Sequence, residues 1–298
     1  MKRALAITAI LLLAAAGLYL AQRRHRKDQV SPNALVNAAA DWQREITRAP
    51  MRFTRVSDAD EIRIGDELAR QYAQQQPALN SEAQAYQSMV QRTGSRVANH
   101  ARRRLPWHFY VLAGPDFINA FALPGGKIFI GLGLLRLLKS EDALAFVLGH
   151  EIEHVDHYHC AERVQLQAQF NHLNLSLIGA LAQIPMSVWQ AVYSKAEEFE
   201  ADREGLRAAV AAGYSPQDAV QILTRWTYLN HEFVTHAETP FDELSDLAIQ
   251  GLSGYFRSHP LPSERLQQVR EVIWQDHMPA NHPLTPRRVS YKATSNQR

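Results

Sequence analysis

The segment that begins at Ser140 carries ionisable residues inside an otherwise apolar run. Residues 143–148 are apolar on every side, which is typical of a buried helix. His150, Glu151 and His154 follow directly. Burying three ionisable groups is costly unless a partner satisfies them, and a bound metal ion is such a partner.

The spacing of these residues favours a zinc site. Residues four apart on a helix differ by about 40° and rise about 6 Å, so His150 and His154 can converge on one cation. Glu151 lies about 100° around the helix from His150. It can therefore act as general base on a water molecule, as in H-E-x-x-H peptidases, without binding the metal itself. Glu153 lies on a different face, which we expect to be exposed to solvent.

Two further histidines, His157 and His159, are rotated away from the face that carries His150 and His154. We expect them at the surface or in a second layer around the metal. The single cysteine, Cys160, excludes an internal disulfide and is interpreted as a small residue near the core.

A third metal ligand is required, and Glu198 is the candidate. Glu198 and Asp202 lie four apart on another predicted helix. Glu198 would complete a set of two histidines and one carboxylate, and Asp202 would accept a hydrogen bond from a ligand imidazole. Taken alone, this helix is more typical of acidic residues that are simply solvated.

The remaining pattern predicts an α+β fold that is mainly helical, with one small three-stranded sheet. Aromatic and β-branched residues predict strands, and 3.6-residue periodicity predicts helices. The predicted strands cover residues 107–113, 117–123 and 127–131. The predicted helices cover 57–104 with a break near 77–81, then 132–138, 141–168, 173–192, 195–212, 216–233, 242–256 and 263–275.

The predicted organisation has four parts: an N-terminal membrane anchor or signal at 1–27, a linker at 28–56, a metallopeptidase domain at 57–275 and a flexible tail at 276–298. The apolar run from residue 4 to 21 is long enough to reach across a bilayer, which favours a single-pass anchor over a cleaved signal. Basic residues just after this run would keep the body of the protein in the cytoplasm. A net charge of +2, with basic residues dispersed, indicates no nucleic-acid partner.

Four blocks together resemble one family of zinc peptidases. In order they are residues 119–126 (NAFALPGG), 150–154 (HEIEH), 198–202 (EFEAD) and 258–265 (SHPLPSER). The chain resembles, over about residues 57–273, the integral-membrane and envelope zinc peptidases. These include the prenyl-protein protease of the endoplasmic reticulum, HtpX, BepA and the mitochondrial overlapping-activity protease.

The resemblance implies a zincin-like catalytic domain with one Zn²⁺ per chain. It implies that Glu198 ligates zinc, that Asp202 supports a ligand, and that His259 approaches the active site. His259 would either steady the tetrahedral intermediate or occupy the metal in a latent state. The strand with Asn119, Ala120, Phe121 and Ala122 would be an edge strand beside the active site, to which an extended substrate adds.

The expected substrates are unfolded or misfolded proteins in membrane or envelope quality control. The resemblance favours a body that faces the periplasm or envelope, whereas the charge bias favours the cytoplasm. Two other function classes stay open: a non-proteolytic zinc-binding chaperone or adaptor of the same fold, and a membrane-bound scaffold that buffers metal.

Overall fold

The computed structural model describes residues 56–74, 76, 78–114, 116–170, 193–232, 259 and 262–279. All of them belong to one compact unit. The predicted anchor at 1–27 and the predicted helices at 173–192 and 242–256 lie outside the described residues, as do most of the linker and of the tail. Among the helices that are described, none is both long enough and apolar enough to cross a membrane.

The described elements form a mainly helical α+β fold, as predicted. The strands are β1 (His108–Leu112), β2 (Ala120–Leu123) and β3 (Lys127–Gly131). The helices are α1 (Asp58–Gln74), α2 (Ser81–Ala98), α3 (Leu132–Leu137), α4 (Glu141–Asp156), α5 (His159–Phe170), α6 (Lys195–Ala211), α7 (Pro216–Glu232) and α8 (Pro262–Gln275).

The three strands form one mixed sheet in the order β1-β3-β2, so β2 lies at an edge. β3 runs parallel to β1 and antiparallel to β2. Side chains of β2 and β3 alternate between two apolar clusters. Phe121 and Phe129 pack with Tyr72 of α1 on one face, whereas Ala122 and Ile128 join the larger core around α4 on the other. The sheet is therefore covered on both faces.

The tightest helix contact is the crossing of α4 and α6, where Gly149 and Gly205 meet. A Cβ atom added to Gly149 would lie 2.6 Å from the carbonyl oxygen of Gly205, and one added to Gly205 would lie 2.6 Å from the backbone of Gly149 and His150. Only glycine lets two helix backbones approach this closely. The crossing brings the side chains of α6 against the H-E-x-x-H face of α4.

Both of these helices begin with side-chain caps. Ser140 accepts a hydrogen bond from the amide of Ala143 at 3.0 Å, in agreement with the predicted start of α4. At α6, Ser194 and Glu197 form a reciprocal capping box. These caps satisfy amides that the first turn of a helix leaves without partners.

The prediction of one continuous helix over 141–168 was wrong. α4 ends at Asp156, and Tyr158 adopts a left-handed conformation with φ of 66° before α5 begins. The loop before β1 stabilises this break. Arg103 donates to the carbonyl of Val155 at 2.7 Å and its guanidinium lies 3.9 Å from the centre of the Tyr158 ring. Long-range packing thus overrides the helical pattern.

Candidate metal centre

His150, His154 and Glu198 are all fully buried and bring their ligand atoms together. The two Nε2 atoms lie 3.1 Å apart. A carboxylate oxygen of Glu198 lies 3.3 Å from Nε2 of His150 and its other oxygen lies 3.6 Å from Nε2 of His154. Ligand atoms about 2.1 Å from a tetrahedral zinc lie about 3.4 Å from one another. The spacing of the three side chains therefore fits zinc.

Three electrostatic observations agree with this fit. Among the described residues, Oε1 of Glu198 is buried without a hydrogen-bond partner, which is costly for a carboxylate unless a cation compensates it. Burial lowers the pKa of His154 well below its usual value, so this imidazole is neutral and can donate a lone pair. For Glu198, burial acts to raise the pKa, but the positive environment of His259 and His150 outweighs it and the pKa is well below the ordinary value.

Asp202 lies one turn beyond Glu198 and supports His150 from behind. Its Oδ1 atom lies 2.9 Å from Nδ1 of His150. Nδ1 of His150 therefore carries the proton and donates it to the carboxylate, which leaves the Nε2 lone pair directed into the cluster. Burial and Arg265 act against protonation of His150, but the hydrogen bond and charge of Asp202 prevail and raise its pKa to about 9. Without a bound cation the Nε2 atom is thus protonated as well at neutral pH, and a metal ion at this position would displace that proton and use the lone pair.

Arg265 of α8 is the supporting residue that sequence reasoning missed. It is fully buried and donates to both oxygens of Asp202, from Nε at 2.8 Å and from Nη2 at 2.6 Å. A bidentate pair of this kind holds a carboxylate in one orientation. The residue lay in the fourth sequence block, but nothing local distinguishes a buried arginine from a solvated one.

Glu151 is buried with 1% of its surface exposed, and burial raises its pKa. Among the described residues, its Oε1 atom has no hydrogen-bond partner. That oxygen lies 4.0 Å from Nε2 of His259. A carboxylate with a raised pKa beside a group of candidate metal ligands has the properties of a general base.

His259 lies inside the cluster, close to the candidate ligands. Its Nδ1 atom is 2.8 Å from Oε2 of Glu198 and 3.3 Å from Nε2 of His150. The ligand atoms of His150, His154, Glu198 and His259 all lie within 4.8 Å of one another. His259 is therefore positioned where a fourth ligand of a tetrahedral metal would lie.

His154 is enclosed by residues that sequence reasoning did not assign to the site. The ring of Tyr193 stacks on His154 with centroids 3.8 Å apart, and the guanidinium of Arg163 lies 3.7 Å from the centre of the Tyr193 ring. The hydroxyl of Tyr193 contacts Sγ of Cys160 at 3.3 Å. This stack fixes the ring plane of His154, and no sequence spacing pointed to it.

The side chains around the end of α4 differ in part from expectation. Glu153 was expected to face solvent, but it is buried with 4% exposure, and its carboxylate lies 3.2 Å from Nε2 of His157. Burial acts against protonation of His157, but hydrogen bonds to Glu153 and Glu200 raise its pKa to about 9. His159 is fully buried, and its Nδ1 lies 3.0 Å from Nδ1 of His154. Of the two positions expected for these histidines, His159 therefore has the one in a second layer around the candidate ligands.

The edge strand β2 lies against α4, and its outer backbone faces α5. The carbonyl of Asn119 accepts a hydrogen bond from the amide of Gly131, and its side chain accepts one from the amide of Ala120 at 2.9 Å. Because hydrogen bonding alternates along an antiparallel strand, Ala120 and Ala122 direct their backbone groups away from β3. The Sγ atom of Cys160 lies 3.7 Å from the carbonyl of Ala122. Phe121 points to the α1 side of the sheet.

Comparison with known proteins places this site in a family. The chain is 27% identical over 235 residues to the beta-barrel assembly-enhancing protease of Escherichia coli K12, which covers 72% of the chain and 44% of the relative. It is 30% identical over 166 residues to the mitochondrial metalloendopeptidase OMA1 of Arabidopsis thaliana, which covers 54% of the chain and 30% of the relative. It is also 35% identical over 123 residues to the mitochondrial metalloendopeptidase OMA1 of Bos taurus, which covers 36% of the chain and 23% of the relative.

The chain thus spans less than half the length of these relatives. The matched region includes the whole site. The model of peptidase family M48 matches residues 81–273, which contain all of the candidate metal ligands together with Glu151, Asp202 and Arg265. The match covers more than half of the chain, and the chain belongs to peptidase family M48.

Proposed function

We propose that the chain is a zinc-dependent endopeptidase with one zinc ion held by His150, His154 and Glu198. The observation that carries this proposal is the position of Glu151. Its buried carboxylate lies beside a cluster of three ligand atoms spaced as zinc requires, and its Oε1 atom makes no hydrogen bond with a described residue. Membership of a peptidase family supports the same conclusion.

The chain's own residues supply the proton transfers of hydrolysis. When bound, zinc supplies a Lewis acid that polarises the scissile carbonyl and lowers the pKa of water. Glu151 takes the proton from the attacking water and later delivers it to the departing amine. Burial raises the pKa of Glu151 towards the range in which one carboxyl group can serve as base and then as acid. Asp202 and Arg265 keep His150 oriented throughout.

The resemblance leaves two roles open for His259, and we propose that it occupies the metal position in a latent state of the enzyme. Its Nδ1 atom lies 3.3 Å from Nε2 of His150 and 2.8 Å from Glu198, so in this arrangement it takes the position that water would need. Substrate hydrolysis then requires His259 to leave the cluster. Removing the imidazole would raise the basal rate instead of lowering it.

Substrates are proposed to bind as an extended strand along β2. The backbone groups of Ala120 and Ala122 point away from β3, and the strand packs against α4, which carries Glu151. The amide of Ala120 is bonded to the side chain of Asn119, and the carbonyl of Ala122 lies against Cys160 of α5, so an incoming strand must displace both contacts. Pairing through the backbone is insensitive to side chains, which suits unfolded or misfolded proteins. The names of the relatives, a beta-barrel assembly-enhancing protease and a mitochondrial metalloendopeptidase, are consistent with membrane or envelope quality control.

The proposed location is a membrane surface, reached through the apolar segment at residues 4–21. An uncharged run of this length, bordered by Lys2, Arg3 and the basic residues 23–27, is typical of a single-pass anchor. We place the peptidase domain on the envelope side, as the resemblance carried by the four sequence blocks favours. Reporter fusions after residue 56, assayed on both sides of the membrane, test this orientation.

The deciding experiment measures zinc per chain and casein cleavage on the full chain, with and without a chelator, for wild type and Glu151→Gln. We expect one zinc in both proteins, and chelator-sensitive cleavage in the wild type alone. One zinc and equal inactivity in both would indicate either a latent enzyme held by His259 or the chaperone or adaptor, and cleavage by His259→Ala would identify the latent enzyme. Several cations per chain, with no requirement for Glu151, would favour the metal-buffering scaffold.

A further inference from the structure

His154 has a polar partner on the side away from the proposed zinc. Its Nδ1 atom lies 3.0 Å from Nδ1 of His159, and both rings are fully buried. Nε2 of His159 in turn lies 3.3 Å from Oε2 of Glu200 on α6. The three side chains form a line from the ligand cluster to a carboxylate whose side chain is 29% exposed.

The number of protons determines the direction of these hydrogen bonds. A neutral imidazole has one N–H group and one lone pair. If Nε2 of His154 binds the metal, Nδ1 of His154 carries the proton, and it can only donate to Nδ1 of His159. That nitrogen must then be unprotonated, so the proton of His159 lies on Nε2. It is donated to the carboxylate of Glu200.

We propose that His159 and Glu200 form a hydrogen-bonded relay that sets the tautomer and orientation of the ligand His154. Both are positioning residues. The inference rests on the proposed zinc site and extends it. His150 is supported by a carboxylate directly, through Asp202, whereas His154 is supported by a carboxylate through a second imidazole. In both cases the negative charge behind the ring increases the basicity of the nitrogen that faces the metal.

Other contacts immobilise the end of the relay. The second oxygen of Glu200 lies 3.2 Å from Nδ1 of His157, and Nε2 of His157 lies 3.2 Å from Glu153. Each oxygen of Glu200 therefore faces a different imidazole. A carboxylate held at both oxygens keeps a single orientation towards His159.

The same side chains raise the question of a second metal ion, because ligand atoms of His157, His159 and Glu200 lie within 4.8 Å of one another. Proton counting argues against this ion while zinc is bound to His154. Nε2 of His159 would have to release its proton to bind a second cation, and Nδ1 already accepts one from His154. A second ion therefore requires the bond between His154 and His159 to break.

The first test is the zinc affinity of the full chain, measured by competition with a chromophoric chelator. His159→Phe keeps a ring but removes both nitrogens, and we expect zinc to bind about 10–100-fold more weakly. His159→Asn places an oxygen near the position of Nδ1, which can accept the proton of His154, and we expect most of the affinity to return. His157→Gln releases one oxygen of Glu200 but keeps the bond between His154 and His159, so we expect a smaller loss of affinity than in His159→Phe. His108→Phe is the control, because it makes the same substitution at an exposed histidine of β1, and it should leave the affinity unchanged.

The second test uses only the wild-type protein, so it does not require any variant to fold. In the zinc-loaded wild-type protein labelled with ¹⁵N, we expect a scalar coupling between the Nδ1 atoms of His154 and His159, and a proton on Nε2 of His159. A proton on Nδ1 of His159 would overturn the relay. So would zinc binding that is the same in wild type and His159→Phe, or a second zinc ion lost in both the His157 and His159 variants. If the wild-type chain binds no zinc, both the relay and the proposed function are overturned.

Discussion

The crossing of α4 and α6 makes the sharpest prediction about how the metal site is built. The three proposed ligands come from two helices that are held together where Gly149 faces Gly205. Gly205→Ala adds one methyl group at this contact and alters no ligand. We expect it to weaken zinc binding while the helices themselves remain formed.

The magnitude follows from the distances. The added Cβ atom would lie 2.6 Å from the backbone of Gly149 and His150, about 0.8 Å short of the 3.4 Å at which ordinary contact begins. Overpacking of this kind costs about 1–3 kcal/mol, and alanine recovers about 1 kcal/mol of helix propensity. The free energy of unfolding should therefore fall by about 0–2 kcal/mol. A displacement of several tenths of an ångström exceeds the roughly 0.2 Å tolerance of metal–ligand distances, so zinc affinity should fall at least about tenfold.

The assay pairs chelator competition for zinc with urea unfolding of the metal-free protein. Arg203→Ala is the matched control, because it makes an alanine substitution on the same helix at a partly exposed position away from the crossing. It should change neither quantity measurably. Gly149→Ala changes the opposite side of the contact and should reproduce the loss of zinc affinity.

The reasoning fails if Gly205→Ala binds zinc as tightly as wild type while its stability is unchanged. The two helices would then tolerate a wider crossing, and the position of Glu198 would have to depend on other contacts. Equal loss of affinity in Arg203→Ala would also contradict it, because the effect could then not be assigned to the crossing.

Further predictions concern the residues around the metal. Glu151→Gln should retain zinc and lose about 10²–10⁴-fold in peptide hydrolysis, and loss of zinc together with activity would contradict its role as base. Arg265→Ala leaves Asp202 buried without its charged partner and should destabilise the fold by about 3–5 kcal/mol in urea unfolding, whereas an unchanged midpoint would refute that pairing. His259→Ala should raise basal casein cleavage; a lower kcat with unchanged zinc content would favour stabilisation of the tetrahedral intermediate. Saturating zinc at about 1,000 times its dissociation constant should stabilise the protein by about 4 kcal/mol, and a chelator should remove this gain in thermal unfolding.

Much of the site could be predicted because it depends on local geometry. The rise and rotation of an α-helix place His150 and His154 on one face and Glu151 beside them, whatever the rest of the chain does. The same holds for Glu198 and Asp202 on α6. The strands around the Pro124-Gly125-Gly126 turn were also predictable, and Gly125 and Gly126 have φ of 70° and 84°, which L side chains rarely adopt.

The tertiary structure alone decided what surrounds these residues. Periodicity suggested that the helix of His150 continues past Tyr158, but Arg103, 55 residues earlier than Tyr158, contacts that ring and caps the end of α4. Glu153 was expected in solvent because it lies on a different face of the helix, yet it is buried.

The sequence by itself therefore determined which residues could bind a metal and which face of each helix they share. The tertiary structure decided which of the polar residues are buried with them, including Arg265, His159 and Tyr193. Burial and pairing across tens of residues depend on how helices cross, and a contact such as Gly149 against Gly205 has no signature in local spacing. Spacing along one helix is set by its own hydrogen bonds. The distance between these two helices depends instead on the residues at their crossing, where neither glycine has a side chain to keep the backbones apart.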